Sequence, residues 1–176
     1  MRSRVSVEIA APPELVFRLA RDPERWPRML PHYLSVRVLS RSPAGTTTLR
    51  MIARRPLLDL VGLGLPVLWR ARFWVEPERL RLRFRHLGGA TAGMEVTWRF
   101  EPTASGCWVS IDHELRRRLP LPVLARLMGD EVFPAFVDRF FTRPIAERTL
   151  ATFGTLAEAI AAGTTSDQPP GTYPIT

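Results

Sequence analysis

The sequence predicts an α+β domain in which a strongly curved antiparallel sheet of about seven strands wraps around a long C-terminal helix, with two short helices after the first strand. Three observations lead there. Residues 34–115 carry six strand-length runs of alternating apolar and polar residues, separated by Gly, Pro and Ser. After residue 120 the period changes, and Phe133, Phe136, Val137, Phe140, Ile145, Phe153, Leu156 and Ile160 fall along one helical stripe. At 176 residues, 45% apolar and 24% charged, the chain suits one core rather than two. Residues 1–162 are expected to form that domain, and 163–176, rich in Pro, Thr and Gly, a loose tail.

Taken in order, residues 3–9 alternate as Val5, Val7 and Ile9, which predicts a half-buried strand, and Pro12-Pro13 ends it before a short helix from Glu14 to Ala20. Asp22-Pro23 opens a second helical piece, cut short by Pro27 and Pro31. The six following strands are expected at Leu34 to Arg41, Thr46 to Ala53, Leu68 to Glu76, Leu80 to His86, Met94 to Glu101 and Cys107 to Leu115. Alternation turns Trp69, Phe73, Leu82, Phe84, Val96, Trp98, Ile111 and His113 inward, and leaves Arg81, Arg83, Arg85 and Arg99 outside. The helical stripe is interrupted by Pro134 and Pro144, so one or two helices are expected within 121–141 and the main one from Pro144 to Ala161. Pro56 to Val67 is richer in Leu than a hairpin loop needs: it reads as a lid over a pocket mouth, loosening together with the start of the C-terminal helical region at Gly129 and Pro134, as a surface that touches a membrane or partner, or as an insertion packed on the core.

A single cysteine, Cys107, offers no disulfide, and three scattered His with one Cys give no metal spacing, so no metal or other cofactor is expected. The longest apolar stretch, Pro56 to Trp69, is broken by Asp59, Gly and Pro and is too short to span a bilayer as a helix. With no apolar signal core after Met1-Arg2-Ser3-Arg4, a cytoplasmic location is expected. The net charge is +8 and every basic residue is Arg, which favours acidic partners; no nucleic-acid motif accompanies it, and no nucleic-acid partner is expected.

Four blocks of residues resemble a known superfamily: Val7 to Phe17, Asp22 to Pro27, Gly93 to Trp98, and His113-Glu114-Leu115. Over residues 3–161 the chain is similar to the START-like (helix-grip) proteins, in the branch of polyketide cyclases/dehydrases, aromatase/cyclases and quinone-binding Coq10-like proteins. The resemblance implies a helix-grip fold around a cavity for a small hydrophobic molecule: a polyketide, a quinone or a lipid. In the aromatase/cyclases a Trp and a Tyr near the short helices line the pocket, positions matched by Trp26 and Tyr33. Those proteins also place an inward Ser and Arg where this chain has Phe73 and Val75, a greasier wall.

Two residues are candidates for chemistry. His113 interrupts the apolar run of Val109, Ile111 and Leu115, and an imidazole there suits general acid/base work on an enolisable ketone; a core histidine satisfied by a backbone carbonyl or a tyrosine, or one at the sheet edge, is the alternative. Tyr33 suits a pocket wall with a polar tip, or packing alone. Ligand-lining candidates are Trp26, Met29, Leu30, Tyr33, Trp69, Phe73, Phe84, Met94, Trp98, His113, Phe136 and Phe140, with His32 and His86 placed at the surface or rim.

Two functions follow as expectations. One is a cofactor-independent cyclase/dehydrase assisting aldol-type ring closure and water loss on a poly-keto or aromatic intermediate; the other is a non-catalytic carrier of a lipid or quinone. An acidic acyl carrier protein is a candidate partner for the outer arginines, and outer-face Trp74 and Trp108 are candidate contacts of a homodimer.

Overall fold

The computed structural model describes residues 2–58, 63–88, 91–115 and 132–163. Seven strands form one antiparallel sheet: β1 Arg2–Ile9, β2 Tyr33–Arg41, β3 Thr47–Leu58, β4 Leu63–Glu76, β5 Arg81–His86, β6 Glu95–Pro102 and β7 Cys107–Glu114, in the order β1-β7-β6-β5-β4-β3-β2. Helix α1, Pro13–Ala20, and the single turn α2, Trp26–Met29, lie between β1 and β2; α3, Val132–Val137, and α4, Arg143–Ala161, end the described chain. This is the expected α+β architecture, with strand ends within a few residues of the sequence reading.

The alternation places its residues where hydropathy demands. Leu82, Phe84, Val96, Trp98, Phe100, Val109 and Ile111 are all buried on the face turned toward the helices. Helix α4 lies across that face through Leu150, Phe153 and Ala157, and Gly154 lets its backbone approach Ile9 of β1, where a Cβ would meet the Ile9 side chain at 3.5 Å. The Glu158 carboxylate of α4 accepts the Ala10 amide at 3.0 Å and ties the β1–α1 turn to the helix. Helix α1 opens on Pro13 in its first turn, and its Phe17 meets Phe100 edge to face at 5.5 Å.

Three expectations change. The Leu-rich segment is not a loop on its described flanks: β3 and β4 stay paired from Ala53↔Val67 out to Leu58↔Leu63, so the hairpin runs on past the sheet, and the lid reading keeps only residues 59–62, outside the described residues. The C-terminal helix is continuous rather than split at Pro144. A π-helical turn, Asp138–Thr142, joins α3 to α4; its wider i→i+5 spacing lets the Arg143 amide reach the Asp138 carbonyl, and Pro144 then sits in the first turn of α4, where a missing N–H costs little. Leu80 does not begin β5 but sits in the left-handed region, φ 44°, after the 3-10 turn Pro77–Arg79. The helix expected around 121–128, the flexing point at Gly129 and the tail beyond Gly163 lie outside the described residues.

Candidate functional site

Sheet and helix do not close completely. Between them a mainly apolar cavity leaves about 70 Å³ for the centres of water-sized molecules, within about 600 Å³ of atom-free space when its solvent-open mouth is counted. Trp26 forms its floor. The ring meets Tyr33 edge to face at 5.0 Å, Trp98 at 5.5 Å and Phe84 at 5.9 Å, and its indole N–H donates to the Ala20 carbonyl at 3.0 Å, so the one polar atom of this buried side chain is satisfied. Trp69 of β4 adds a further wall, stacked on His86 at 5.9 Å.

Against these aromatics the cavity presents a short list of polar groups: Tyr33, His86, Thr91, His113, Thr142 and Thr149. His86 Nδ1 lies 2.7 Å from the Thr91 hydroxyl. His113, from β7, is buried, and its Nδ1 has no hydrogen-bond partner among the described residues. Burial drives His113 down to about 4, with Asp138 pulling it up and Arg143 pushing it down; burial drives His86 to about 3, with His113 adding to the effect. Both imidazoles are therefore neutral at pH 7.

Thr149 of α4 joins two further rings. Its hydroxyl donates to the Ile145 carbonyl at 2.6 Å, and His32 Nε2 lies 2.8 Å from the same oxygen. With its one proton given to Ile145, Thr149 accepts from His32, which fixes the Nε2–H tautomer and leaves buried His32 Nδ1 without a partner among the described residues. Burial lowers His32 to about 4, helped by Arg148. Burial also raises the Tyr33 phenol far above its ordinary value, against a smaller opposing effect of its hydrogen bond with Thr149, so Tyr33 remains protonated.

The π-helical turn supplies the other side of the mouth. Asp138 accepts the Ser3 hydroxyl at 2.6 Å and the Thr142 hydroxyl at 2.9 Å, with an Arg143 guanidinium N–H at 3.3 Å. Burial pushes the Asp138 carboxyl up, but these partners outweigh it and hold it low. Thr142 is thereby pinned beside the cavity and Asp138 is kept charged.

Of the sequence candidates, Trp26, Tyr33, Trp69, Phe84, Trp98 and His113 line the cavity together. Leu30, Phe73 and Met94 are buried in the surrounding core rather than along the cavity, and Met29 is half-buried; α2 is one turn long, so the helical face expected to align Met29 and Leu30 with Tyr33 does not extend that far. Phe136 is 46% exposed and turned away, because the π turn resets the helical phase between it and the α4 stripe. The Phe140 side chain lies outside the described residues. His32 is buried rather than exposed, and His86 reaches the cavity wall. Val67, Thr91, Thr142 and Thr149 were not expected there. Thr142 and Thr149 did carry a signal, two polar residues seven apart on the apolar stripe beside Ile145 and Ala146.

Among the described residues no group of His, Cys, Asp and Glu is arranged to hold a metal ion, and no helix is long and apolar enough to cross a membrane. On the outer face Trp74 is half-buried under the Arg83 guanidinium, 5.3 Å from its ring, and Trp108 is 40% exposed.

Comparison with known proteins fits this geometry. A Streptomyces cyaneus protein named "Putative polyketide cyclase" is 33% identical over 101 residues, covering 57% of this chain and 62% of that protein's own length. Among solved structures, TTHA0849 from Thermus thermophilus superposes with a TM-score of 0.68 at 27% identity, covering 92% of this chain and 99% of that one. The Zhui aromatase/cyclase from Streptomyces sp. R1128 superposes with a TM-score of 0.68 at 20% identity, over 94% of this chain and 99% of that one, a likeness of fold. Residues 9–141 match the family described as polyketide cyclase/dehydrase and lipid transport, and it is to this family that the chain belongs.

Proposed function

We propose that the chain binds a poly-keto or aromatic intermediate in the cavity and assists its aldol-type cyclisation and dehydration without a cofactor. The observation that carries this reading is the pairing, in one apolar cavity, of a neutral imidazole with an unpartnered ring nitrogen, His113, and a phenol held protonated, Tyr33. Five aromatic rings confine a flexible chain to a few folded shapes, which removes much of the entropy cost of bringing its two reacting carbons together.

The chemistry needs three proton movements. The bare nitrogen of His113 takes a proton from a methylene between two ketones, and the resulting enolate carbon attacks a second carbonyl carbon of the same chain. The alkoxide so formed recovers the proton from the imidazolium; loss of that hydroxyl with a neighbouring proton expels water and sets the new double bond. Tyr33 donates a hydrogen bond to the oxygen on which charge develops, and the dry surroundings strengthen it.

A second reading, carriage of a lipid or quinone without turnover, is favoured by the lipid-transport half of the family's description. Incubation with a reactive poly-β-ketone separates the two. Tyr33→Phe and His113→Ala should each slow cyclisation about a hundredfold, within the usual range for acid/base groups, while the ligand still binds. Unchanged rate and product pattern in both variants sinks the cyclase reading; native mass spectrometry then shows whether a prenyl lipid travels with the protein.

A further inference from the structure

The outer face of the sheet treats its arginines in two ways. Toward β1 and β7 they meet acids: Arg2 reaches Glu114 at 3.1 Å, Arg4 reaches Asp112 at 2.5 Å, Arg99 pairs with the same Asp112, and Arg83 reaches Glu76 at 3.6 Å. Toward β2, Arg41 reaches Glu24 at 2.5 Å, but five others meet no acid among the described residues. Arg37, Arg50 and Arg70 stand directly opposite one another across β2, β3 and β4, and Arg72 stands opposite Arg85. All five are exposed, and like charges in opposed positions repel. Residues 33–76 hold seven Arg against two acids, so most of the chain's net charge of +8 sits on this half.

The neighbouring row is apolar. On the arginines' own face Ile52 is opposite Leu68, which is 50% exposed, and Leu39, two residues along β2 from Arg37, is 51% exposed; Leu65 alternates to the other face with Val67. These rows belong to a hairpin whose rungs, from Arg54↔Pro66 to Leu58↔Leu63, lie beyond the last paired residues of β2 at Ala53 and of β5 at Ala71. Among the described residues no third strand lies beside these rungs, and a two-stranded ribbon alone is of marginal stability in water. On its inner side the same hairpin places Val67 in the cavity wall.

We propose that this half of the sheet docks on an anionic lipid surface, with Leu39 and Leu68 in the headgroup boundary and the Arg37, Arg50, Arg70 row on the phosphates. Exposed leucines beside unpaired arginines match the two layers of a bilayer surface, hydrocarbon and charge, at one contact. An acidic protein would meet the arginines but leave the leucines unexplained, and a nucleic acid would call for stacking aromatics instead. Docked this way, the chain sets its cavity beside the phase in which an apolar ligand dissolves. That consequence rests on the ligand being hydrophobic, whereas the docking itself does not depend on whether the ligand is turned over.

Flotation of the full chain with vesicles of phosphatidylcholine alone, or mixed with phosphatidylglycerol, tests it. Binding should require the acidic lipid and weaken as salt rises. Arg50→Gln with Arg70→Gln should lower it roughly 25-fold, at about fivefold per arginine, and Leu39→Ser with Leu68→Ser by about tenfold or more. Arg83→Gln with Arg99→Gln, which removes equal charge from the acid-matched half, should stay within about threefold, because only charges held near the surface contribute strongly. Circular dichroism reports whether each variant is folded, and fluorescence quenching by a cavity ligand reports the binding site separately. No flotation with either vesicle, equal loss in both arginine pairs, or binding to poly-glutamate without binding to vesicles would overturn the proposal, the last by assigning the face to an acidic protein.

Discussion

Acid should destabilise this protein well before its carboxylates titrate, and the three histidines are the reason. His32 and His113 titrate near 4 and His86 near 3, all below the ordinary 6.5, mainly through burial. Each is depressed on folding, so the unfolded chain takes up protons first as pH falls. Their stabilisation is complete above about pH 6.5 and is lost progressively toward pH 4. For a group moving from 6.5 to 4, linkage gives a ceiling of about 2 kcal/mol lost at pH 5 relative to pH 7.5. Water reaching the cavity through its mouth and relaxation around the charge cut this to roughly 1 kcal/mol per histidine, or about 3 kcal/mol in all, a large part of a typical domain's 5–15 kcal/mol. Urea unfolding followed by tryptophan fluorescence at pH 7.5, 6.5, 5.5 and 5.0 measures this directly. His113→Gln and His32→Asn should each flatten the pH dependence by about a third. A wild-type stability that is level across this range would refute the reasoning, since it would mean that the imidazoles protonate in the folded state without penalty.

Three further outcomes are expected. Trp26→Ala should cost about 3–5 kcal/mol in chemical denaturation, whereas Trp26→Phe should cost less, because it keeps most of the wall and loses chiefly the bond to Ala20. Gly106→Ala should lower stability by about 2–4 kcal/mol, since the new Cβ would fall 2.1 Å from the Ile9 carbonyl oxygen, a backbone atom that cannot swing aside; a thermal midpoint within about a degree of wild type would contradict it. Cys107, fully buried and raised to about 11 by burial with Glu14 adding to the effect, should resist a thiol reagent in the native state and react at the rate of global unfolding.

Strands with one buried face announce themselves, and residues such as Phe84, Trp98 and Ile111 took their positions from alternation alone. His113 was legible for the same reason: a polar residue on an apolar beat has few explanations. Phe136 and Met29 show the limit. Each keeps helical spacing with its neighbours in sequence, yet the π turn in one case and the early start of β2 in the other break the phase, and period-counting cannot see a change of helix type. The polar side of the cavity was harder still. Thr91, Thr142 and Thr149 come from three separate elements, and what joins them to His86, His113, His32 and Tyr33 is packing between segments far apart in the chain. The flanks of the β3–β4 hairpin look like a loop in sequence because they are Leu-rich with Gly and Pro; only pairing between the two halves makes them strands.

The sheet order places β1 beside β7, with Val7 opposite Val109 and Ile9 opposite Cys107. During synthesis at roughly 5–20 residues per second, β1 leaves the ribosome about 5–20 s before the strand that will cover its flank. For that interval Val5, Val7 and Ile9 form an unpaired apolar edge, while the β2–β3 and β3–β4 hairpins, whose partners are adjacent in sequence, can already close. Helix α4, which completes the burial of Ile9, arrives later again. The chain therefore matures from its middle outward, and its first strand is the last to find its place.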